Sequence, residues 1–323
     1  MADHLSPRGL TTSAPASGLQ VTDVSALAGG VLWSVLLFLS RADVVVVTAV
    51  DLYIALALLV LVPLALRVID QRRYGDVALP AARGLQGPAA VAAVIALTLR
   101  PGTLATGLVI PWVCVTLAAA AAGIRQVLER GHRSLSATAV DLGLVYLAIG
   151  GAFLFAYSAG GLPWFDPLTV ALTVVHFHVA GFVLPVVVGS TGRLLDPSGR
   201  LPAAGRWTTG AILAGLPAVA IGIVVGPILE IPAVVLLSVA VIGFALIALG
   251  GVVPDLPPTA RTLATIAWIA VIGGMVLALL VAASMLPGTP ELVDRSTMLR
   301  WHGPLNGIGF ALAGVLSLRF HGV

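Results

Sequence analysis

The sequence predicts an all-α protein, a polytopic bundle of transmembrane helices, and three observations carry this prediction. Hydrophobic residues make up 59% of the 323 residues, whereas charged residues make up only 10%. The mean hydropathy is +1.08, far above that of soluble domains, in which charged residues approach about a quarter of the total. The apolar residues also cluster in stretches close to the roughly 20 residues that a membrane-spanning helix needs. We therefore expect about ten spans and no large domain outside the membrane.

The candidate spans are assigned in chain order. They are residues 24–40, 44–68, 85–99, 104–124, 137–158, 168–189, 208–226, 231–250, 262–286 and 298–318. The third is the weakest, because its apolar part from Pro88 to Leu99 is closer to the length of a re-entrant segment. Nine crossings are therefore the alternative. Residues 21–323 are expected to form one transmembrane domain, and residues 1–20, rich in Ser, Thr, Pro and Ala, a disordered N-terminal tail.

Arginine supplies all 17 basic residues, and its distribution predicts the orientation of the bundle. If all ten spans cross, 13 arginines lie on the side of the N-terminus and four lie opposite. Those four are Arg41, Arg100, Arg295 and Arg300. Because arginine-rich loops stay in the cytoplasm, we expect both termini to be cytoplasmic, in a bacterial cell membrane. Asp51, His176, His178 and His302 then lie in the outer half of the bilayer.

Several classes of function lose support from the sequence. No basic run with interleaved aromatic residues is present, so nucleic acid is not an expected partner. Cys114 is the only cysteine, which excludes a disulfide or a thiolate cluster within one chain. No Gly-rich phosphate loop, His-Glu-x-x-His or Gly-x-Ser-x-Gly motif occurs. We expect no cofactor; the expected partners are bilayer lipids and a lipophilic small molecule, and no obligate protein partner is inferred.

Two polar motifs interrupt the apolar spans, and we expect the functional site there. The first motif occupies residues 176–182 and the second occupies residues 302–310. They share a pattern, His178-x-x-Gly-Phe in the first and Asn306-x-x-Gly-Phe in the second. An ionisable side chain inside hydrocarbon must face a protein interior or a water-filled cavity, so it marks a functional site by default. His176, His178, His302 and Asn306 are therefore candidate catalytic residues, expected to converge between spans six and ten.

Two alternatives remain open for the histidines. One is a metal site built from His176, His178 and His302, although positions i and i+2 of a regular helix point about 200° apart. Such a site requires a broken helix, and we expect no metal. The other alternative is structural: one histidine forms a hydrogen bond between helices, and the other extends to the membrane interface. For Asn306 the structural alternative is a hydrogen bond between helices, worth about 0.6 to 2 kcal/mol.

Asp51 and Glu230 complete the candidate catalytic residues. A carboxylic acid kept protonated in an apolar pocket can start acid-initiated chemistry on a lipophilic substrate. The alternatives are ion pairs with Arg41 or Arg300, or exposure at the membrane surface. Aromatic residues near the two motifs are candidate substrate-binding residues, because aromatic faces stabilise a developing cation. They are Trp164, Phe165, Phe177, Phe182, Trp301 and Phe310.

The motifs from His176 to Phe182 and from His302 to Phe310 resemble those of the YndJ-like family of bacterial integral membrane proteins. More loosely, the size, the many spans and the lack of cofactor motifs are similar to bacterial membrane-bound terpene cyclases of meroterpenoid pathways, including those of indole diterpenoids. This looser resemblance implies a biosynthetic isomerase or lyase that cyclises an isoprenoid by protonation. A proton-coupled transporter of a small or lipophilic solute is the alternative, and a histidine–metal membrane protein is a further one.

Overall fold

The computed structural model describes residues 18–69, 77–130, 134–196 and 202–322. Within these ranges the chain is all α-helical and has no strand, which confirms the predicted fold class. The predicted tail lies outside the described residues except for positions 18–20. The long helices are α1 (Val21–Arg41), α2 (Ala49–Val68), α3 (Ala78–Leu97), α4 (Thr103–Arg130), α5 (Leu135–Ser158), α6 (Pro167–Leu195), α7 (Ala203–Val225), α8 (Pro227–Gly251), α9 (Pro258–Ser284) and α10 (residues 295–321).

Each of these helices overlaps one predicted span, and eight are long and apolar enough to cross a membrane. The other two are α3 and α10. Helix α3 has 20 residues, which corresponds to about 30 Å, the thickness of the hydrocarbon core. Helix α10 is longer, but His302 and Asn306 interrupt its apolar run. The chain is a multi-pass membrane protein, and the number of ten crossings stays a prediction.

Side-chain caps fix where several helices begin. The side chains that accept a hydrogen bond from the first turn of the following helix are Thr48, Ser134, Asp166 and Asp294. Such caps satisfy backbone donors that have no partner inside the helix. Hydrogen bonds, with Thr297 as the main donor, lower the pKa of Asp294 to about 2. Helix α10 therefore begins beside a fixed negative charge, which its dipole favours.

Polar contacts define one end of the bundle, which we call the Asp23 end. Asp23 in the first turn of α1 forms ion pairs with Arg67 of α2 at 3.2 Å and with Arg319 of α10 at 3.0 Å. Arg83 near the start of α3 donates to the carbonyl oxygen of Leu66 at 2.6 Å. The starts of α1 and α3 and the ends of α2 and α10 therefore lie together.

The opposite end of the bundle is called the Asp51 end. The hydroxyl of Tyr157, at the end of α5, donates to a carboxylate oxygen of Asp51 at 3.0 Å. The backbone N–H of Gly102, just before α4, donates to the carbonyl of Ser158 at 2.9 Å. Helix α3 thus extends from the Asp23 end to the turn that leads to Gly102. This path favours a full-length third helix over the re-entrant alternative.

Helices α2, α6 and α10 run in the same direction, and each contains a π-helical segment. The segments are Ala57–Leu61, Phe177–Val183 and Leu305–Leu312, and each contacts the other two. Pro63 and Pro185 lie two positions beyond the first two segments. A proline has no N–H for the carbonyl four residues earlier, so the backbone there adopts the wider pairing of a π-helix. The sequence analysis did not predict these π segments, which frequently mark functional sites.

Gly29 lets α1 approach the first π segment closely. A Cβ atom at Gly29 would lie 2.0 Å from the carbonyl oxygen of Leu59. That carbonyl is the one whose α-helical donor is missing at Pro63. Because glycine has no side chain, the two helices pack with their backbones in near contact.

We expect Gly29→Ala to lower the free energy of unfolding by about 1–3 kcal/mol, because the added methyl group forces α1 away from Leu59. Gly30→Ala is the matched control, since nothing lies within 4 Å of a Cβ atom at that position. Thermal unfolding in detergent, followed by circular dichroism, measures both variants. Equal melting temperatures would contradict the packing argument.

The predicted orientation places the Asp51 end outside the cell. A single cysteine at Asp166 or Glu291 should react with a membrane-impermeant maleimide in intact cells, whereas a cysteine at Asp255 should react only after permeabilisation. Cys114 is exposed, so the background carries Cys114→Ala. The reverse labelling pattern would invert the orientation.

Candidate functional site

His178 is fully buried, and both nitrogens of its ring are hydrogen-bonded. The indole N–H of Trp112 on α4 donates to Nε2 of His178 at 3.0 Å. Since an indole only donates, the imidazole proton is on Nδ1, which donates to the carbonyl of Val174 at 2.8 Å. The two rings also stack, with their centroids 5.8 Å apart. A catalytic role for His178 would require one of these two hydrogen bonds to break.

Two glycines of α5 allow the π segment of α6 to approach. A Cβ atom at Gly150 would lie 2.7 Å from Nδ1 of His178, and one at Gly143 would lie 3.1 Å from the carbonyl oxygen of Phe182. These glycines are seven positions apart and thus share a helical face. The buried imidazole of His178 and the backbone at Phe182 therefore fit against a flat strip of α5.

His176 and His302 face each other across the seam between α6 and α10. Their ring centroids are 6.3 Å apart. Nδ1 of His176 lies 2.7 Å from the carbonyl oxygen of Leu172, and Nδ1 of His302 lies 3.1 Å from that of Gly274 on α9. Because a carbonyl only accepts, both Nδ1 atoms donate, and both Nε2 atoms carry a lone pair. No hydrogen bond to another described residue engages either Nε2 atom.

The environment of this pair differs from that of His178. His176 is exposed and His302 is half-buried. His176 is the last residue of the ten-residue segment Pro167–His176, so it lies about 15 Å along α6. An exposed imidazole at this depth faces hydrocarbon only at a high free-energy cost, and such residues usually face water or another polar group. We call this feature the histidine pair.

Asn306 and the glycines of the second motif have packing roles. The amide of Asn306 donates to the carbonyl of His302 at 2.8 Å, and its amide nitrogen would lie 2.3 Å from a Cβ atom at Gly274. Cβ atoms at Gly303 and Gly307 would meet the ring of Tyr53 on α2. The second motif therefore holds α10 between α2 and α9.

Asp51 forms a capping box at the start of α2. Its carboxylate accepts hydrogen bonds from the backbone N–H of Thr48 at 2.8 Å and from the hydroxyl of Tyr157 at 3.0 Å. The side chain of Thr48 accepts in turn from the N–H of Asp51 at 3.1 Å. This reciprocal arrangement is a sufficient structural reason for a carboxylate here. The role of Asp51 as an initiating acid stays a prediction.

Glu230 lies in the first turn of α8, where the helix dipole stabilises a negatively charged carboxylate. A Cβ atom at Gly222 of α7 would lie 2.6 Å from the Cα atom of Glu230, so the residue belongs to the hairpin of α7 and α8. Among the described residues, no hydrogen bond or ion pair joins Glu230 to Asp51 or to a histidine. The structure does not bring the two predicted carboxyl groups together.

The predicted aromatic residues do not surround one space. Phe182 and Phe310 are fully buried, and Phe177 packs edge-on against Tyr146. Trp164 is 75% exposed and Trp301 is 57% exposed. Phe165 lies beside Phe153, with ring centroids 6.5 Å apart.

Two further observations concern cavities and metals. A cavity of about 20 Å³ lies between α6, α9 and α10, and a groove lies on the outer face of α1; no predicted site residue lines either.

In the part of the chain that the structure describes, no three His, Cys, Asp or Glu side chains are grouped as metal ligands. His178 points to Trp112 while His176 points to His302, as their spacing predicts.

Sequence reasoning missed three groups of residues. Trp112 lies in the middle of α4, whereas tryptophan in membrane helices is enriched at the interfaces, so its depth was a usable signal. Thr48-x-x-Asp51 is a capping-box pattern that the sequence shows directly. Tyr157 and Gly274 gave no signal, because their partners are far along the chain.

Trp112→Phe should lower the free energy of unfolding by about 1–3 kcal/mol, because Nε2 of His178 would be left buried without a donor. Trp207→Phe is the control, since Trp207 is 79% exposed. Differential scanning fluorimetry of the purified proteins measures both. Trp112→Phe with the melting temperature of the wild type would show that the hydrogen bond contributes no stability.

Comparisons with known proteins agree with the resemblance carried by the two motifs. The chain is 34% identical over 154 residues to the uncharacterised membrane protein YndJ of Bacillus subtilis (strain 168), a match that covers 47% of this chain and 27% of that protein. The matched part of the chain thus spans about a quarter of the length of this relative. No solved structure matches the chain. A family model described as YndJ-like protein matches residues 52–310, which include most of α2, both motifs and the histidine pair; the chain therefore belongs to the YndJ-like family of membrane proteins.

Proposed function

We propose that this chain is a proton-coupled transporter in which the histidine pair binds the transported proton. One observation carries the proposal: His176 is exposed about 15 Å along a membrane-spanning helix and faces His302 with 6.3 Å between ring centroids. Both Nε2 atoms are free to accept a proton. A proton on one ring is stabilised by the lone pair of the other, directly or through a water molecule.

The backbone around the pair supports a moving element. The π segments of α6 and α10 begin at Phe177 and Leu305, within three residues of His176 and His302. In transporters, substrate sites lie near the bilayer midplane beside helices whose regular pairing is interrupted. A shift between π and α pairing in either helix would rotate its histidine relative to the other.

The two ends of the seam differ, as alternating access requires. His176 is exposed and lies in the part of α6 that is nearer the Asp51 end. At the Asp23 end, the ion pairs of Asp23 with Arg67 and Arg319 tie α10 to α1 and α2. These features support a transporter that takes up its proton from the Asp51 end.

The cyclase hypothesis has less support. It requires an enclosed pocket in which aromatic faces surround the substrate and a carboxylic acid reaches it. Trp164 and Trp301 are exposed, Phe182 and Phe310 are packed in the core, and Glu230 belongs to a separate hairpin. The same two histidines in an accessible seam suit proton transfer better.

His176→Gln and His302→Gln should each lower proton flux roughly tenfold or more, because glutamine forms hydrogen bonds but does not take up a proton at neutral pH. The protein is reconstituted in liposomes that contain a pH-sensitive dye, with an imposed pH gradient and potassium plus valinomycin to clamp the voltage. His4→Gln, in the predicted tail, is the control and should behave as the wild type. Wild-type flux no faster than that of protein-free liposomes would contradict the proposal.

A further inference from the structure

The cavity between α6, α9 and α10 lies on the same seam as the histidine pair, nearer the Asp23 end. Its polar lining consists of Thr191 of α6 together with Ser317 and His321 of α10. Thr191 follows His176 by 15 positions on α6, and Ser317 follows His302 by 15 positions on α10. The cavity and the pair are thus separated by roughly 20 Å along both helices.

One polar atom of this cavity lacks a partner. Nδ1 of His321 is buried and forms no hydrogen bond, whereas the hydroxyl of Ser317 donates to the carbonyl of Ala260 at 2.7 Å. A buried water needs about 10–15 Å³ and polar partners, and the cavity provides about 20 Å³. The site therefore fits one water molecule held by the imidazole of His321 and the hydroxyl of Thr191.

Aromatic rings separate the cavity from the histidine pair. Trp268 of α9 lines the cavity and packs against Phe310, with ring centroids 5.6 Å apart, and against Phe244 of α8 at 5.7 Å. Both Trp268 and Phe310 are buried. Phe310 is part of the third π segment, so a change in that segment moves the barrier between the two sites.

Two arginines near the cavity have other partners. Arg319 is paired with Asp23, and Arg261 of α9 donates to the carbonyl of Leu256 at 3.2 Å. From α6 and from the turn between α8 and α9, the lining is apolar apart from Thr191. Among the described lining residues, His321 is the one titratable group.

We propose that His321, Thr191 and a bound water form the proton-release site at the Asp23 end, the counterpart of the histidine pair on the same seam. This inference rests on the proposed transport function. When Phe310 and Trp268 separate, water molecules enter the seam and carry the proton from a protonated ring of the histidine pair to the bound water and Nδ1 of His321. His321 then releases it at the Asp23 end, so that no bond other than N–H and O–H bonds changes.

The experiment uses the same liposome flux assay on the whole 323-residue chain. His321→Gln removes the proton acceptor, Thr191→Val removes a hydroxyl at nearly constant volume, and Ala264→Val fills the cavity from α9. Each should lower flux at least about fivefold, as expected for loss of a group that transfers or positions a proton. Thr262→Val and Ala214→Val are the controls, since both positions are exposed, and should retain wild-type flux.

The outcomes separate this inference from the proposed function. Loss of proton flux in all three cavity variants, with melting temperatures near that of the wild type, supports the release site. Loss of flux in His176→Gln with wild-type flux in His321→Gln overturns the release site and leaves the transport function standing. Loss of proton flux in His321→Gln alone, with wild-type flux in Thr191→Val and Ala264→Val, assigns His321 to packing. This outcome also overturns the release site. Absence of flux in the wild type overturns both.

Discussion

Backbone carbonyl groups inside a bilayer have no water to bind, so each must find a donor or a close neighbour within the protein. This constraint acts at Leu59 and Gly181, two carbonyls whose α-helical donors are missing at Pro63 and Pro185. The wider π pairing is one response, and close packing is the other. Because Gly29 has no side chain, α1 packs closely against the carbonyl oxygen of Leu59. This backbone contact helps to fix the position of α1.

The first motif shows how two neighbouring histidines acquire different properties from one helix. His178 turns towards Trp112, where both nitrogens are bound and the ring is fully buried. His176 turns the other way, towards His302. The residue type is the same, and the difference lies in the helical face and in the neighbour that the face meets. A polar residue in a membrane helix therefore identifies a site only when its partners are known.

The sequence predicted the number and position of the long helices because apolar runs of membrane length are a strong signal. It also predicted that the two motifs meet, since His176 and His302 lie on spans of the same direction. It did not predict the π segments, which depend on the balance between a proline and its helical neighbours. Nor did it predict the pair of Tyr157 with Asp51, whose residues are 106 positions apart. Long-range partners of this kind are set by packing rather than by any local pattern.

The ion pairs at the Asp23 end have a consequence for biogenesis. Asp23 and Arg319 are 296 positions apart, whereas Asp23 and Arg67 are 44 positions apart. Arg67 is available once α1 and α2 are inserted. Arg319 becomes available only after α10 has been made, and until then the carboxylate of Asp23 has one of these two arginine partners. The ion pair that joins α1 to α10 therefore forms later in synthesis than the ion pair that joins α1 to α2.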